Sequence, residues 1–472
     1  MKNTPLEVGT LHFVGIGGIG MSGIAEILQS LNYEVQGSDI KESGNVERLR
    51  NKNIPVVIGH DAGNLVNADG EKVSAIIVSS AIKQDNPELV EARRLKIPVV
   101  RRADMLAELM RLKTAIAIGG THGKTTTTSL VGALLEEAHL DPTVINGGII
   151  HAYGTNTRLG QSEWMVAESD ESDGSFTRLP ATIAVITNID PEHMDHYGSF
   201  EEVKAAYQSF AENIPFYGFA VLCLDHPEVQ SLLPKLTDRK CVTYGFSAQA
   251  NVRGINVDFD QQGAKFDVEI KGQDGEKRML KDMRLGLPGE HNIQNALAAI
   301  AIAHEIGISE DTIRSALLKF KGVHRRFTLK GEVHGVRIID DYGHHPIEIK
   351  AVLKAARQTL ANSQGRVIAL MQPHRYSRLN DLMDDFCNSF NDADTVLVTE
   401  VYAAGEAPLK TANSDILVEK IRECGHSDVT KVIDLDNAVS HISSKMNEGD
   451  IVICLGAGNI TEWAAALPEK LK

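Results

Sequence analysis

The sequence predicts an α/β protein of three domains, and three observations carry that prediction. The chain is 472 residues long, and at roughly 100 to 200 residues per domain this implies two to four domains. Short apolar runs alternate with helical patterns along most of it, the rhythm of parallel strands joined by crossover helices. Two strand–glycine-turn–helix openings stand well apart, which suggests two separate nucleotide-scale sites. We place the domains at 1–112, 113–322 and 323–472.

The first opening is "LHFVGIGGIGMSGIA", Leu11 to Ala25. Its strand runs into Gly15, Gly17, Gly18, Ile19 and Gly20, and Ser38 and Asp39 follow at the end of the next apolar run. Glycines in such a turn let backbone amides and a helix N-terminus approach a diphosphate, and the later acidic residue suits a ribose. A nicotinamide cofactor satisfies that pattern, and so does any nucleoside diphosphate. The runs "VSAIIVSSA", "PELVEARRL" and "IPVVRRADMLAELMR" continue the rhythm to the first boundary.

The second opening, "TAIAIGGTHGKTTTTSLVGALLEEA", holds Gly120, Thr121, His122, Gly123, Lys124, Thr125 and Thr126 between strand and helix. Such a loop can cradle a polyphosphate with its amides, neutralise it with Lys124 and offer a threonine hydroxyl to Mg²⁺. It is a shortened variant of the common phosphate loop, because Ile118 stands where the first glycine of that pattern would fall. Two acidic strand ends follow. "VAESDESDGSF" supplies Glu168, Asp170, Glu171 and Asp173, and "TNIDPEHMDHY" supplies Asp190, Glu192, His193, Asp195 and His196. Carboxyl ends of parallel strands converge on the ligand crevice, so these are candidate metal and nucleotide residues. Between about Val221 and Leu287 the pattern loosens into strand-like segments, ahead of the helical "LPGEHNIQNALAA" with His291, Asn292 and Asn295.

The third domain begins beside "GVHRRF", where Arg325 and Arg326 offer guanidinium forks to phosphate or carboxylate. "IIDDYGHHP" places Asp340, Asp341, Tyr342, His344 and His345 after a strand, and "LMQPHRYSR" does the same for His374, Arg375 and Arg378. These positive groups suit a carboxylate substrate.

A formal charge of −15 and pI near 5.6 argue against a nucleic acid or an anionic membrane as the main partner. The five cysteines form no C-x-x-C pair, which suggests neither a zinc site nor a disulfide framework. The first residues lack the pattern of a secretory leader, and no apolar run reaches about 18 residues. A cytoplasmic protein without membrane insertion is expected.

Taken in order, "HFVGIGGIGMSGIAEIL", "GTHGKTTT", "ESDESD", "NIDPEHMDHY", "PGEHNIQNALAA", "GVHRRF", "DDYGHHP" and "QPHRYSR" resemble the Mur ligases of bacterial cell-wall synthesis, most closely the branch that adds alanine. The resemblance spans nearly the whole chain. It implies a Rossmann-like UDP-binding domain, a central phosphate-loop ATPase domain with a mostly parallel sheet and a small β-rich part, and a C-terminal Rossmann-like domain with the amino-acid site. The implied substrates are UDP-N-acetylmuramate, L-alanine and ATP with Mg²⁺, in a monomer or homodimer.

Carried over by motif, Gly15, Gly17, Gly18, Ile19, Gly20, Ser38 and Asp39 would hold the UDP-sugar. Gly120 to Thr126, with His291, Asn295, Arg326, Asp341 and Tyr342, would surround ATP. Thr125, Glu168 and His193 would bind Mg²⁺, and His344, His374, Arg375 and Arg378 the amino acid. Lys124, His193 and His344 are the candidate catalytic groups. Where several siblings carry a carbamylated lysine, this chain has Gln208, with Lys204 nearby. The alternatives are a ligase that attaches a preformed tripeptide to the same sugar nucleotide, an NTPase motor, and a nicotinamide oxidoreductase that leaves the second glycine loop idle.

Overall fold

The computed structural model describes residues 8–79, 81–272, 275–360 and 364–472. It is an α/β molecule whose chain divides into two compact units, residues 1–252 with 298–313, and residues 253–297 with 314–472. None of the described helices is long and apolar enough to cross a membrane.

In the first unit, strands β1 (Leu11–Val14), β2 (Val35–Asp39), β3 (Val56–Ile58), β4 (Ala75–Val78) and β5 (Val99–Arg101) form a sheet in the order β3-β2-β1-β4-β5. All of its pairings are parallel. The short apolar runs are buried on both faces: Phe13 and Ile77 enter the larger core, and Val14, Ile76 and Val78 a smaller one with Leu65, Val73 and Leu89. That two-sided burial is why these strands read as continuous apolar runs instead of alternating ones.

A second sheet in this unit contains β6 (Thr114–Gly119), β7 (Thr143–Ile150), β8 (Thr155–Arg158), β9 (Trp164–Glu168), β10 (Ile183–Ile186), β11 (Phe219–Cys223) and β12 (Cys241–Gly245), ordered β12-β11-β10-β6-β9-β7-β8. Only β8 runs antiparallel to its neighbour. β6 lies between β10 and β9, so the loop after β6 sits beside the strand end at Glu168 and the segment after Ile186.

The second unit opens with β13 (Val252–Asp260), β14 (Gly263–Lys271) and β15 (Lys277–Leu285), the strand-like region expected from the sequence, with β14 and β15 antiparallel. Its main sheet comprises β16 (Thr328–Val333), β17 (Val336–Asp341), β18 (Val367–Met371), β19 (Thr395–Val398), β20 (Val429–Lys431) and β21 (Ile451–Leu455), in the order β16-β17-β21-β18-β19-β20. β16 alone is antiparallel. Ile339, Ala369 and Ile453 pack into a core on one face, and Ile338, Leu370 and Val452 into a core on the other. The polar motifs DDYGHHP and QPHRYSR therefore emerge together, at the carboxyl ends of β17 and β18.

Candidate active site

The first glycine turn builds a cavity of about 550 Å³, lined by Gly15, Gly17, Gly18, Asp39, Lys41, Ser43, His60, Lys83, Asp85 and Asn86 among others. Asp39 accepts the Gly17 N–H at 2.8 Å through Oδ2. A Cβ on Gly17 would lie 2.8 Å from that oxygen, so only glycine permits the contact. The carboxylate thus fixes the turn from within, while the turn faces the cavity. Ile19 and Gly20 begin the helix Ile19–Ser30. Ser38 is fully buried, and its hydroxyl donates to Glu88 Oε2 at 2.7 Å. His60, Lys41, Lys83, Ser43 and Asn86 line the cavity without having been expected from the sequence.

The second turn follows β6 and leads into the helix Lys124–Glu137. Gly120 has φ +134° and Gly123 φ +83°, the region favouring glycine. A Cβ on Gly120 would fall 1.9 Å from Thr187 Oγ1. The loop is fastened to the segment after β10: the His122 N–H donates to Asn188 Oδ1 at 2.7 Å, and the Asp190 N–H to Thr121 Oγ1 at 2.9 Å. Lys124 Nζ donates to Gly120 O (2.6 Å), Thr121 O (3.1 Å) and Glu171 Oε1 (2.8 Å). Burial works against the ammonium, yet Glu171 and Glu168 outweigh it and hold Lys124 charged. Burial pushes the Glu171 carboxyl up, although Lys124 pulls the other way.

Two clusters of oxygen donors flank this loop. Thr125 Oγ1 donates to Glu168 Oε2 at 2.9 Å, and the same oxygen takes the Gly147 N–H at 2.8 Å. His193 gathers with Glu171 and Glu192, their ligand atoms lying within 4.8 Å of one another. His193 itself has φ +58°. The sequence reading grouped Thr125, Glu168 and His193; the structure pairs Thr125 with Glu168 and sets His193 with Glu171 and Glu192. Glu171 Oε2 is buried without a hydrogen-bond partner. A buried carboxylate with an orphaned oxygen, gathered with a second carboxylate and an imidazole, fits a divalent cation such as Mg²⁺. Asp170 is turned to Arg102 at 3.1 Å, and Asp173 accepts from the Ser175 backbone N–H at 3.0 Å. His196 packs edge-on against Tyr197; the Asp195 side chain lies outside the described residues. Gln208 bonds Glu212, and Lys204 pairs with Glu201 and Glu228.

The remaining candidates lie in the second unit. Asp341 is buried at the end of β17 and accepts the N–H groups of Phe327 and Gly343, each at 2.7 Å. Burial raises its carboxyl to about 6 despite Arg326 nearby. The Arg325 and Arg326 guanidiniums lie over the Tyr342 ring, 4.8 and 5.3 Å from its centroid. Arg325 also donates to Gly456 O at 2.5 Å and Gly458 O at 3.1 Å. His291 shares this neighbourhood, where burial and then Arg326 lower its imidazole to about 4. Asn295 is buried, and Asn292 donates through Nδ2 to the Pro288 carbonyl at 2.7 Å, just before its own helix.

His344 presents Nδ1 to the Tyr342 carbonyl at 3.0 Å and to Glu348 at 3.3 Å. Its ring meets Tyr342 and His374 edge-on, with centroids 5.2 and 5.7 Å away. His374 stacks on Tyr402 at 5.5 Å, only 9° from parallel, and Arg378 Nη1 lies 3.4 Å from its Nδ1. Burial, followed by His344, Arg378 and Arg375, lowers His374 to about 4. Arg375 has φ +70°, secured by its N–H bond to Tyr402 O at 2.9 Å. Tyr402 and Glu348 were absent from the expected set; Tyr402 follows β19 as His374 follows β18, and that position was the available signal.

Comparison with known proteins matches three family descriptions along the chain: Mur ligase family, catalytic domain, over residues 10–114; Mur ligase middle domain, over 118–303; and Mur ligase, glutamate ligase domain, over 325–458. The chain is 59% identical over 467 residues to the UDP-N-acetylmuramate–L-alanine ligase of Brucella ovis, covering 99% of this chain and 98% of that relative. Among solved structures it resembles the UDP-N-acetylmuramate-alanine ligase of Thermotoga maritima, with TM-score 0.79, 29% identity and 98% coverage of both chains. The murein peptide ligase of Psychrobacter arcticus shares the fold, with TM-score 0.68 at 21% identity and 98% coverage of both. With family descriptions along most of its length and a near full-length relative at this identity, the chain belongs to the Mur ligase family.

Proposed function

We propose that this protein joins L-alanine to the lactyl carboxylate of UDP-N-acetylmuramate with the conversion of ATP to ADP and phosphate, a step of peptidoglycan precursor synthesis in the cytoplasm. The observation that carries this reading is the 59% identity to an alanine-adding ligase over 99% of the chain. The cavity at the first glycine turn would take the sugar nucleotide, and the loop Gly120–Thr126 the polyphosphate of ATP.

A carboxylate is a poor electrophile, so it must first be activated. The lactyl oxygen attacks the γ-phosphorus, the bond to the β-phosphate oxygen breaks, and an acyl phosphate and ADP result. Lys124 and the loop amides face the charge that shifts toward the leaving oxygen. Thr125 and Glu168 on one side, with His193, Glu171 and Glu192 on the other, would hold Mg²⁺, which when bound offsets phosphate charge. The amine of alanine then attacks the carbonyl carbon, and the tetrahedral adduct expels phosphate. Arg375 and Arg378 suit the carboxylate of alanine. His344, oriented through Nδ1 by Tyr342 and Glu348, is our choice to accept the proton the amine sheds. His291, Asn295, Arg326, Asp341 and Tyr342 would contact ATP.

Phosphate release from ATP with UDP-N-acetylmuramate tests the reading, comparing L-alanine, glycine, L-serine and a tripeptide. L-alanine should stimulate most. Stimulation by no amine sinks the ligase assignment, and a preference for tripeptide moves the chain to the recycling branch.

A further inference from the structure

The two glycine turns are joined by a cation that the reaction scheme does not use. Arg102 opens the helix Arg102–Arg111, directly after β5, and its side chain lies against Gly20 at the start of the helix Ile19–Ser30. A Cβ on Gly20 would stand 3.2 Å from Arg102 Cδ and 3.3 Å from Nη1, so the glycine leaves the guanidinium its room. On the other side Nη2 donates to Asp170 Oδ2 at 3.1 Å. Asp170 stands in sequence between Glu168, which takes the Thr125 hydroxyl, and Glu171, which takes Lys124. One side chain thus reaches from the first turn to the strand end beside the phosphate loop.

The frame around it is tight. Asn156 Nδ2, on β8, donates to the Ile19 carbonyl at 2.8 Å, and a Cβ on Gly23 would fall 2.1 Å from Thr157 Oγ1, so the helix is seated closely on the second sheet. The guanidinium is held less firmly. Among the described residues its one hydrogen bond is that to Asp170, whose side chain is 47% exposed. An ion pair at such exposure is weak and readily exchanged. The guanidinium itself is always charged, and its planar fork suits paired oxyanions. In a chain of net charge −15, a phosphate needs such a local cation. The sugar nucleotide of the proposed reaction spans the same interval. Its diphosphate would sit at the first turn, where Gly18 both lines the cavity and caps the helix Ile19–Ser30, and its lactyl carboxylate at the phosphate loop.

We propose that Arg102 is a binding residue for the sugar nucleotide: it exchanges Asp170 for oxygens of the sugar-linked phosphate, and Asp170 is the counterion that the ligand displaces. This rests on the reading of the first cavity as the UDP-sugar site. Gly20 then belongs to the fingerprint because it admits the arginine.

Calorimetry on the full chain, with each ligand alone, tests this. Arg102→Gln should weaken UDP-N-acetylmuramate roughly tenfold or more, weaken UDP by the same factor, and leave the Kd of ATP unchanged. Asp170→Asn removes the competitor, so it should tighten UDP-N-acetylmuramate by about twofold to fivefold, whereas a purely structural ion pair predicts weaker or unchanged binding. The double variant should bind like Arg102→Gln alone. Wild-type affinity in Arg102→Gln, a joint loss of ATP affinity, or weaker or unchanged binding in Asp170→Asn would each overturn the proposal. So would a loss for UDP-N-acetylmuramate that UDP does not share, which would move the contact to the lactyl carboxylate. Should Arg102→Gln fail to fold, Asp170→Asn still decides. Failure of the wild type to bind either UDP-N-acetylmuramate or UDP would instead refute the cavity assignment itself.

Discussion

At the residue scale, the buried imidazole of His374 sets the character of the strand-end cluster that we propose for the amino acid. His374 is lowered to about 4 from the ordinary 6.5 by burial and by His344, Arg378 and Arg375. The unfolded chain binds this proton more readily than the folded one, so the group contributes stability that is present above about pH 6.5 and lost as pH falls toward 4. Asp341, raised to about 6, has the opposite sign: its burial costs stability as pH rises from about 4 to 6. We expect the His374 ring signals to titrate near pH 4. In urea unfolding, His374→Asn should lose less stability than the wild type between pH 6.5 and 4.5; equal losses would contradict the shift. The sequence disclosed that His374 belonged to a strand-end cluster. It did not disclose the shift, because the stack on Tyr402 joins residues from two different strand ends.

At the element scale, the segment after β10 determines the shape of the phosphate loop. Gly120→Ala would place a methyl 1.9 Å from Thr187 Oγ1 on a backbone with φ +134°, forcing the loop off Thr187. A displacement of about 1 Å in such a cradle can cost roughly a hundredfold in turnover, and we expect at least that loss in kcat/KM for ATP. A variant with wild-type kcat/KM would show that the close approach is dispensable. Glycine turns and their flanking strands were legible because backbone geometry restricts them to few residue types. The choice among Glu168, Asp170, Glu171 and Asp173 was not: four carboxyls in six residues carry no periodicity that says which meets Lys124. Packing settles it, as Glu171 turns into the core beside Lys124 and Asp170 turns to Arg102.

At the scale of the whole molecule, three mostly parallel sheets deliver their polar motifs at strand carboxyl ends, as the alternation in the sequence implied. Sheet order was less accessible, since the partner of a strand is chosen by contacts far along the chain. The buried Glu88 carboxylate shows the same limit, with Ser38, His60 and Asn64 at hydrogen-bond distance from it across the chain. The first cavity should respond to its own ligand in a measurable way. UDP-N-acetylmuramate at about a hundred times its Kd should stabilise the native chain by about 2.7 kcal/mol, read as a shift in denaturant unfolding, whereas NADH at similar concentration should give none. Stabilisation by NADH alone would revive the oxidoreductase reading.

The position of β21 has a consequence for how the protein is made. This strand follows the other described strands of its sheet in sequence, yet it lies between β17 and β18, and those two pair with it and not with each other. Until the ribosome has released residues 451–455, β17 and β18 keep apolar edges unpaired, and Arg325 lacks the carbonyls of Gly456 and Gly458 that hold it. Nascent chains therefore carry an open sheet from the synthesis of β18 at Val367–Met371 until that of β21 at Ile451–Leu455, a state prone to aggregation and suited to chaperone capture. A truncation that removes β21 and the helix Ile460–Lys470 would forfeit the centre of this sheet.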